Sequence, residues 1–177
     1  KKHKQKVVIS TYTISLQEQL IRKDIPFLKK VSGIDFSAVL VKGRQNYLCP
    51  RRLRQAQKRQ GTLFDTPEES LQLQDLHNFS MQTKDGTLSD LPFSPNHDVW
   101  EMVCSDESIC QGRVCNRNTD CFYQKARRRV YNADLIITNH ALLFSDLAVR
   151  QQGGSILPDY KHVIIDEAHI MEDIASK

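Results

Sequence analysis

Four short apolar runs, each followed by a stretch of helical periodicity, predict an α/β fold built on a parallel sheet flanked by helices. The runs are Lys6–Thr13 (KVVISTYT), Ala38–Val41, Asp134–Thr138 (DLIIT) and His162–Ile165 (HVII). Between the second and third lies a long polar stretch that holds all five cysteines, so the sheet is read as interrupted by an insertion. A chain of 177 residues has room for one domain, or for one domain carrying such an insertion. With 40% apolar and 26% charged residues, collagen-like, mucin-like and wholly disordered classes are excluded. No apolar run approaches the roughly 20 residues that span a bilayer. The KKHKQK start leads into VVIS and not into a signal-peptide hydrophobic stretch, so a soluble, intracellular protein is expected.

The elements follow in order. Lys6–Thr13 is β-branched and reads as a buried strand. Ser15 with Glu18 three residues on forms a capping box for the next helix, which Pro26 kinks or restarts after Asp24 and Gly33 ends. After the short strand at Ala38, Pro50 suits the first turn of a helix carrying Arg51, Arg52, Arg54, Lys58 and Arg59. Residues 61–100 are acidic and contain Pro67, Pro92 and Pro95, with one weak helical stretch around Glu68–Phe79; they read as a variable spacer. Cys104–Asp120 is too polar to build an apolar core, so something other than burial must organise it. Cys121–Asn132 then reads as helix, Asp134–Thr138 as strand, His140–Arg150 as apolar helix and His162–Ile165 as a buried strand, with a new helix starting after Glu167. The domains are thus residues 1–42 and 133–177 as two parts of one sheet domain, and 43–132 as the insertion.

The net charge of +4 conceals an asymmetry: residues 1–60 hold 15 Lys and Arg against Glu18, Asp24 and Asp35, and the rest of the chain is acidic. A basic block suits a polyanion, and equally a solvated face. Five cysteines without a secretory signal argue against a disulfide framework and for metal or cluster ligation. Cys49, Cys110, Cys115 and Cys121 contain no CxxC pair of the kind structural zinc prefers, and an iron–sulfur cluster accepts looser spacings. Cys104 lies in the apolar VWEMVC and reads as a packed small hydrophobe. Tyr47, Phe122 and Tyr123 lie near the proposed ligands, either to stack on bases or to pack around a small cluster domain. His97, in a Pro-flanked loop, reads as simply exposed.

HVIIDEAH sets Asp166 and Glu167 directly after a strand, at the carboxyl end of a parallel sheet where nucleotides bind. Asp166 there can hold Mg²⁺ and Glu167 can orient or deprotonate the water that attacks a terminal phosphate. The plainer alternative is an acidic pair complementing a helix dipole. No GxxxxGK[ST] loop is present, so a nucleotide site needs a phosphate loop from upstream, and a piece of a longer protein is expected. Hydroxyls from Ser10 onward cluster where a strand meets a helix, a setting that can hold a nucleic-acid phosphate.

Together these residues resemble the DinG group of bacterial damage-inducible DNA helicases, in the XPD-like iron–sulfur branch of superfamily 2. VVISTYTISLQEQL looks like motif Ia, and KGRQNYLC resembles the segment with the first cluster cysteine. CQGRVCNRNTDCFYQKARR resembles the segment with the other three, ADLIITNHALL the strand and helix after the cluster, and VIIDEAH the DEAH box. The resemblance spans essentially the whole chain. It implies a central piece of a RecA-like first motor domain, interrupted by a mostly helical [4Fe–4S] insertion held by Cys49, Cys110, Cys115 and Cys121. It further implies ATP-driven 5′ to 3′ movement on single-stranded DNA in repair or replication, with Mg²⁺ and ATP as cofactors. Forked or displaced-strand DNA is the implied substrate, for a monomer in the bacterial cytoplasm near the nucleoid. By position Asp166 takes the Mg²⁺ role, Glu167 the base role and His169 the coupling role. Thr11 and Thr13 would touch the DNA backbone, with Asn139 and His140 near the strand's path. The competing non-enzyme reading is a cluster- or zinc-bearing nucleic-acid-binding module, and a redox carrier is weaker because it leaves the basic segment and DEAH without a task.

Overall fold

The computed structural model describes residues 5–59, 66–115 and 120–171, without the side chains of residues 113 and 114. It divides into two compact units, residues 1–42 with 127–177, and residues 43–126.

The first unit holds a four-stranded parallel sheet of order β2-β3-β1-β4, made of β1 (Val7–Thr11), β2 (Ala38–Leu40), β3 (Leu135–Asn139) and β4 (His162–Ile165). β1 is central: Val8 aligns with Ile136 on one side and with Val163 on the other, and Ser10 with Thr138 and Ile165. Helices flank the sheet, giving the RecA-like α/β architecture. Val8, Ile136, Leu143 and Leu157 share one core and each is at most 2% exposed. Each such side chain contributes about 1.5–3 kcal/mol through burial.

Local chemistry sets the boundaries. Helix α1 (Ile14–Gln19) is capped by Thr13 and not, as the sequence predicts, by Ser15: the Leu16 N–H donates to Thr13 Oγ1 at 3.2 Å. Thr13 has extended backbone there, which leaves Ser15 inside the first turn. The chain then widens into a π-helical turn at Leu20–Asp24 before α2 (Ile25–Ser32), whose first turn carries Pro26 and so loses a backbone donor there. Gly33, at φ +64°, closes α2 with its N–H on the Lys29 carbonyl at 3.1 Å, as expected.

β4 departs from the expectation of a buried strand. Val163, Ile164 and Ile165 are 40%, 55% and 37% exposed, because β4 is the marginal strand of the order and pairs with β1. An apolar run suggests burial on both faces, but burial is set by neighbours and not by composition. The helix expected after Glu167 is a single 3₁₀ turn, Ala168–Ile170, and residues 172–177 lie outside the described residues.

The second unit is helical, with α3 (Pro50–Lys58), α4 (Pro67–Gln82) and α5 (His97–Val103). Helix α6 (Phe122–Asn132) crosses the division at 126, short of the expected boundary at 132: Phe122 and Ala126 are buried in the second unit's core and Val130 in the first's. The helical stretch expected around Glu68–Phe79 is present as α4, sixteen residues long, and its fully buried Leu73 and Leu76 make it part of the core, which corrects the reading of 61–100 as a spacer. Thr66, Pro67 and Glu69 start it with a reciprocal capping box. Residues 60–65 of that stretch lie outside the described residues.

Tyr47, Leu48, Leu53, Trp100, Val103, Cys104 and Phe122 complete this core, with the Trp100 indole N–H donating to the Gln45 carbonyl at 2.9 Å. At Gly86, φ +62°, an added methyl would overlap the Phe122 ring, so the ring seats directly on the backbone. No residue from 105 to 120 joins the apolar core among the described residues, in line with the polar composition of that stretch.

Candidate functional site: the carboxyl ends of the strands and the cysteine group

The first unit gathers polar side chains where β1, β3 and β4 end. Asp166 leaves β4 with its N–H donating to the Ser10 carbonyl at 2.9 Å. Its Oδ2 is buried and meets no hydrogen-bond donor among the described residues. An unpartnered buried carboxylate oxygen costs about 1–3 kcal/mol or more, a cost that a cation or its bound water removes, so Asp166 fits the Mg²⁺ role on chemistry. Glu167 takes φ +50°, the left-handed region, and is the one non-glycine residue to do so among the described residues. Such backbone costs of the order of 1–3 kcal/mol and concentrates at functional sites. It turns the exposed Glu167 side chain to His169, whose Nδ1 lies 3.3 Å from Glu167 Oε2.

The four residues expected along DNA are placed differently from one another. Thr13 is exposed, with its Oγ1 committed to capping α1. Asn139 is half-buried and caps α7 (His140–Gln151), its Oδ1 accepting from the Leu142 N–H at 2.9 Å. Thr11 is fully buried and His140 is 1% exposed, so a strand lying on this surface would meet Tyr12 and Thr13 and not those two side chains. His140 faces inward, with its Nδ1 2.6 Å from Ser10 Oγ.

A second feature of this unit escaped the sequence. Asp146 is fully buried in α7, yet its carboxylate accepts from Arg150 Nε at 2.7 Å, from the Ile156 and Leu157 N–H groups at 2.7 Å each, and from the Tyr160 hydroxyl at 3.2 Å. Arg150 in turn donates to the Leu157 and Pro158 carbonyls. Burial, then the Asp146 charge, pushes the Tyr160 hydroxyl above its ordinary pKa. The network fixes the loop that delivers the chain into β4. A carboxylate inside an apolar helix, four residues before an arginine, is the signal that could have found it.

In the second unit no cysteine is in a disulfide among the described residues. Burial pushes the Cys121 thiol up, the Gln124 N–H opposes this, and charge on Cys49, Cys115 and Cys110 raises it further. Those four sulfurs therefore share one electrostatic neighbourhood. Cys104 stands apart: it is 5% exposed, and burial raises its pKa while Arg52 lowers it. Arg52 also donates to the Cys104 carbonyl at 2.7 Å. Among the described residues no three His, Cys, Asp or Glu side chains are gathered to hold a single metal ion. A donor set made only of thiols suits a soft metal, as in a cluster of iron and sulfide.

Around it, Tyr47 and Phe122 are buried and Tyr123 stacks edge-on to Tyr47 with ring centres 5.8 Å apart. The Arg44 guanidinium lies 4.4 Å from the Tyr123 ring centre. These aromatics pack. His97 is exposed, as expected.

Known proteins share this sequence along nearly its whole length. The DEAD_2 family model matches residues 9–177. The chain is 37% identical over 177 residues to the ATP-dependent DNA helicase YoaA of Escherichia coli (strain K12), covering 98% of this chain and 27% of that protein. It is 35% identical over 180 residues to the ATP-dependent DNA helicase DinG of Photobacterium profundum, covering 96% of this chain and 26% of that protein. Over 185 residues it is 29% identical to the ATP-dependent DNA helicase DinG of Escherichia coli (strain K12), with 96% and 25% covered. The chain spans about a quarter of the length of the curated relatives it matches.

Proposed function

Since the chain belongs to the DEAD_2 family, we propose that it is a central part of the first motor domain of a DinG-type, ATP-dependent DNA helicase. The observation that carries this reading is Asp166, hung from β1 at the carboxyl end of a parallel sheet, with a buried carboxylate oxygen that no protein donor meets among the described residues. Asp166 would hold Mg²⁺, which when bound neutralises charge on the β- and γ-phosphates of ATP. Glu167, exposed and turned out by its left-handed backbone, orients and deprotonates the attacking water. His169, 3.3 Å from Glu167, would couple the nucleotide site to DNA.

We assign single-stranded DNA, within forked or displaced-strand substrates, to the surface of Tyr12, Thr13 and Asn139, with 5′ to 3′ movement and a role in repair or replication in the bacterial cytoplasm. A monomer suffices for it. Cys49, Cys110, Cys115 and Cys121 would hold a [4Fe–4S] cluster, which supplies a rigid centre to a segment lacking apolar core. No helix among the described residues is long and apolar enough to cross a membrane.

The test is strand separation by the protein that carries this chain together with its phosphate-binding loop. ATP and Mg²⁺ should drive unwinding of a duplex with a 5′ single-stranded tail and not one with a 3′ tail. Anaerobic material should contain about four iron and four sulfide per chain. DNA binding without ATP-dependent unwinding would favour the non-enzymatic module.

A further inference from the structure

Resting on the reading of Asp166 as the Mg²⁺-holding carboxylate, we propose that His140 is a positioning residue for Asp166, acting through Ser10. β4 lies at the margin of the sheet, with β1 as its partner in the strand order. The backbone of Asp166 is therefore referred to β1, through its N–H on the Ser10 carbonyl at 2.9 Å. Ser10 is fully buried, and its hydroxyl is 2.6 Å from Nδ1 of a residue 130 positions away. One continuous path, His140 to Ser10 to Asp166, thus ties together the ends of β3, β1 and β4.

The polar cost at His140 shows what the ring is for. Its Nε2 is buried without a hydrogen-bond partner among the described residues, and so is the hydroxyl of Thr138, which sits in register with Ser10. A buried unsatisfied polar atom costs about 1–3 kcal/mol, so a site serving packing alone is better filled by leucine. What the imidazole adds and leucine lacks is the bond at Nδ1. Asn139, capping α7 one residue earlier, fixes where the ring begins. A shift at the start of α7 is therefore passed to the backbone carbonyl that holds Asp166.

Two measurements test this. In the chain itself, Ser10→Ala and His140→Leu should each speed hydrogen exchange of the Asp166 amide about tenfold. The Val41 amide, which donates to the Ile137 carbonyl at 2.8 Å, should keep its rate. His140→Asn, whose side chain offers a polar atom near the Nδ1 position, should restore protection. Equal acceleration at both amides, or an Asp166 amide as protected in Ser10→Ala as in the wild type, overturns the proposal.

In the protein with its phosphate-binding loop, His140→Leu should raise the Mg²⁺ concentration for half-maximal ATP hydrolysis about tenfold. The KM for ATP at saturating Mg²⁺ should not change. If Asp166→Asn leaves the Mg²⁺ requirement untouched, the reading of Asp166 fails. If Asp166→Asn changes it and His140→Leu does not, that reading stands and the positioning role falls.

Discussion

The two units hold their functional groups by opposite means. In the first, Asp166, Ser10 and His140 come from segments far apart in sequence, and the strand ladder fixes them with backbone and buried side-chain bonds. In the second, two of the four candidate ligands, Cys110 and Cys115, lie in a polar stretch that adds nothing to the apolar core, held by contacts such as Arg51 on the Ile109 carbonyl at 2.6 Å. A site assembled by a sheet is rigid before any ligand arrives. One assembled by exposed turns depends on the ligand for its order.

The largest effect expected from this contrast is all-or-none. Serine at Cys49, Cys110, Cys115 or Cys121 should remove bound iron and raise proteolysis between about residues 49 and 125, whereas Cys104→Ser should keep iron. Iron assays and limited proteolysis decide it, and loss from Cys104→Ser with retention in Cys49→Ser would replace the ligand set by Cys104, Cys110, Cys115 and Cys121. Next comes chemistry without loss of order. Glu167→Gln should lower ATP turnover by about 10²–10⁴-fold with nucleotide binding and thermal stability intact, since the amide keeps shape and loses basicity.

Asp146→Ala should destabilise the first unit by about 2–4 kcal/mol in denaturant titration, because it leaves the Ile156 and Leu157 N–H groups and the Tyr160 hydroxyl without their acceptor. Gly86→Ala should cost the second unit about 2–3 kcal/mol, through overlap with Phe122 and the left-handed backbone. An unchanged melting profile would show that Phe122 yields. Thr66→Ala is the mildest, about 1 kcal/mol from the lost cap, read as fraying of α4 by circular dichroism.

How much is legible in the sequence follows the same divide. The strands are legible because β-branched runs leave few alternatives, and Asp166 at a strand end follows from that placement. Helix α4 is legible as a weak helical stretch, whereas the burial of Leu73 and Leu76 is masked by acidic composition and nearby prolines, and the Thr66-Pro67-Glu68-Glu69 start signal marks its first turn. The exposure of β4 and the inward turn of Thr11 and His140 are illegible, since both depend on which elements become neighbours. Asp146 is hidden for the same reason: its loop partners come within reach only after folding.

The strand order also governs how the molecule comes into being. β1 must wait for β3, with Val7 aligned to Leu135, so 128 residues separate the first partner from the second. At a ribosomal pace of about 5–20 residues per second this is a delay of roughly 6–25 s. Residues 43–126 emerge within that interval as one contiguous stretch, free to finish their own core first. The nascent β1, with Val8 and Ile9 still lacking Ile136 and Ile137 of β3, meanwhile offers a sticky apolar segment to chaperones.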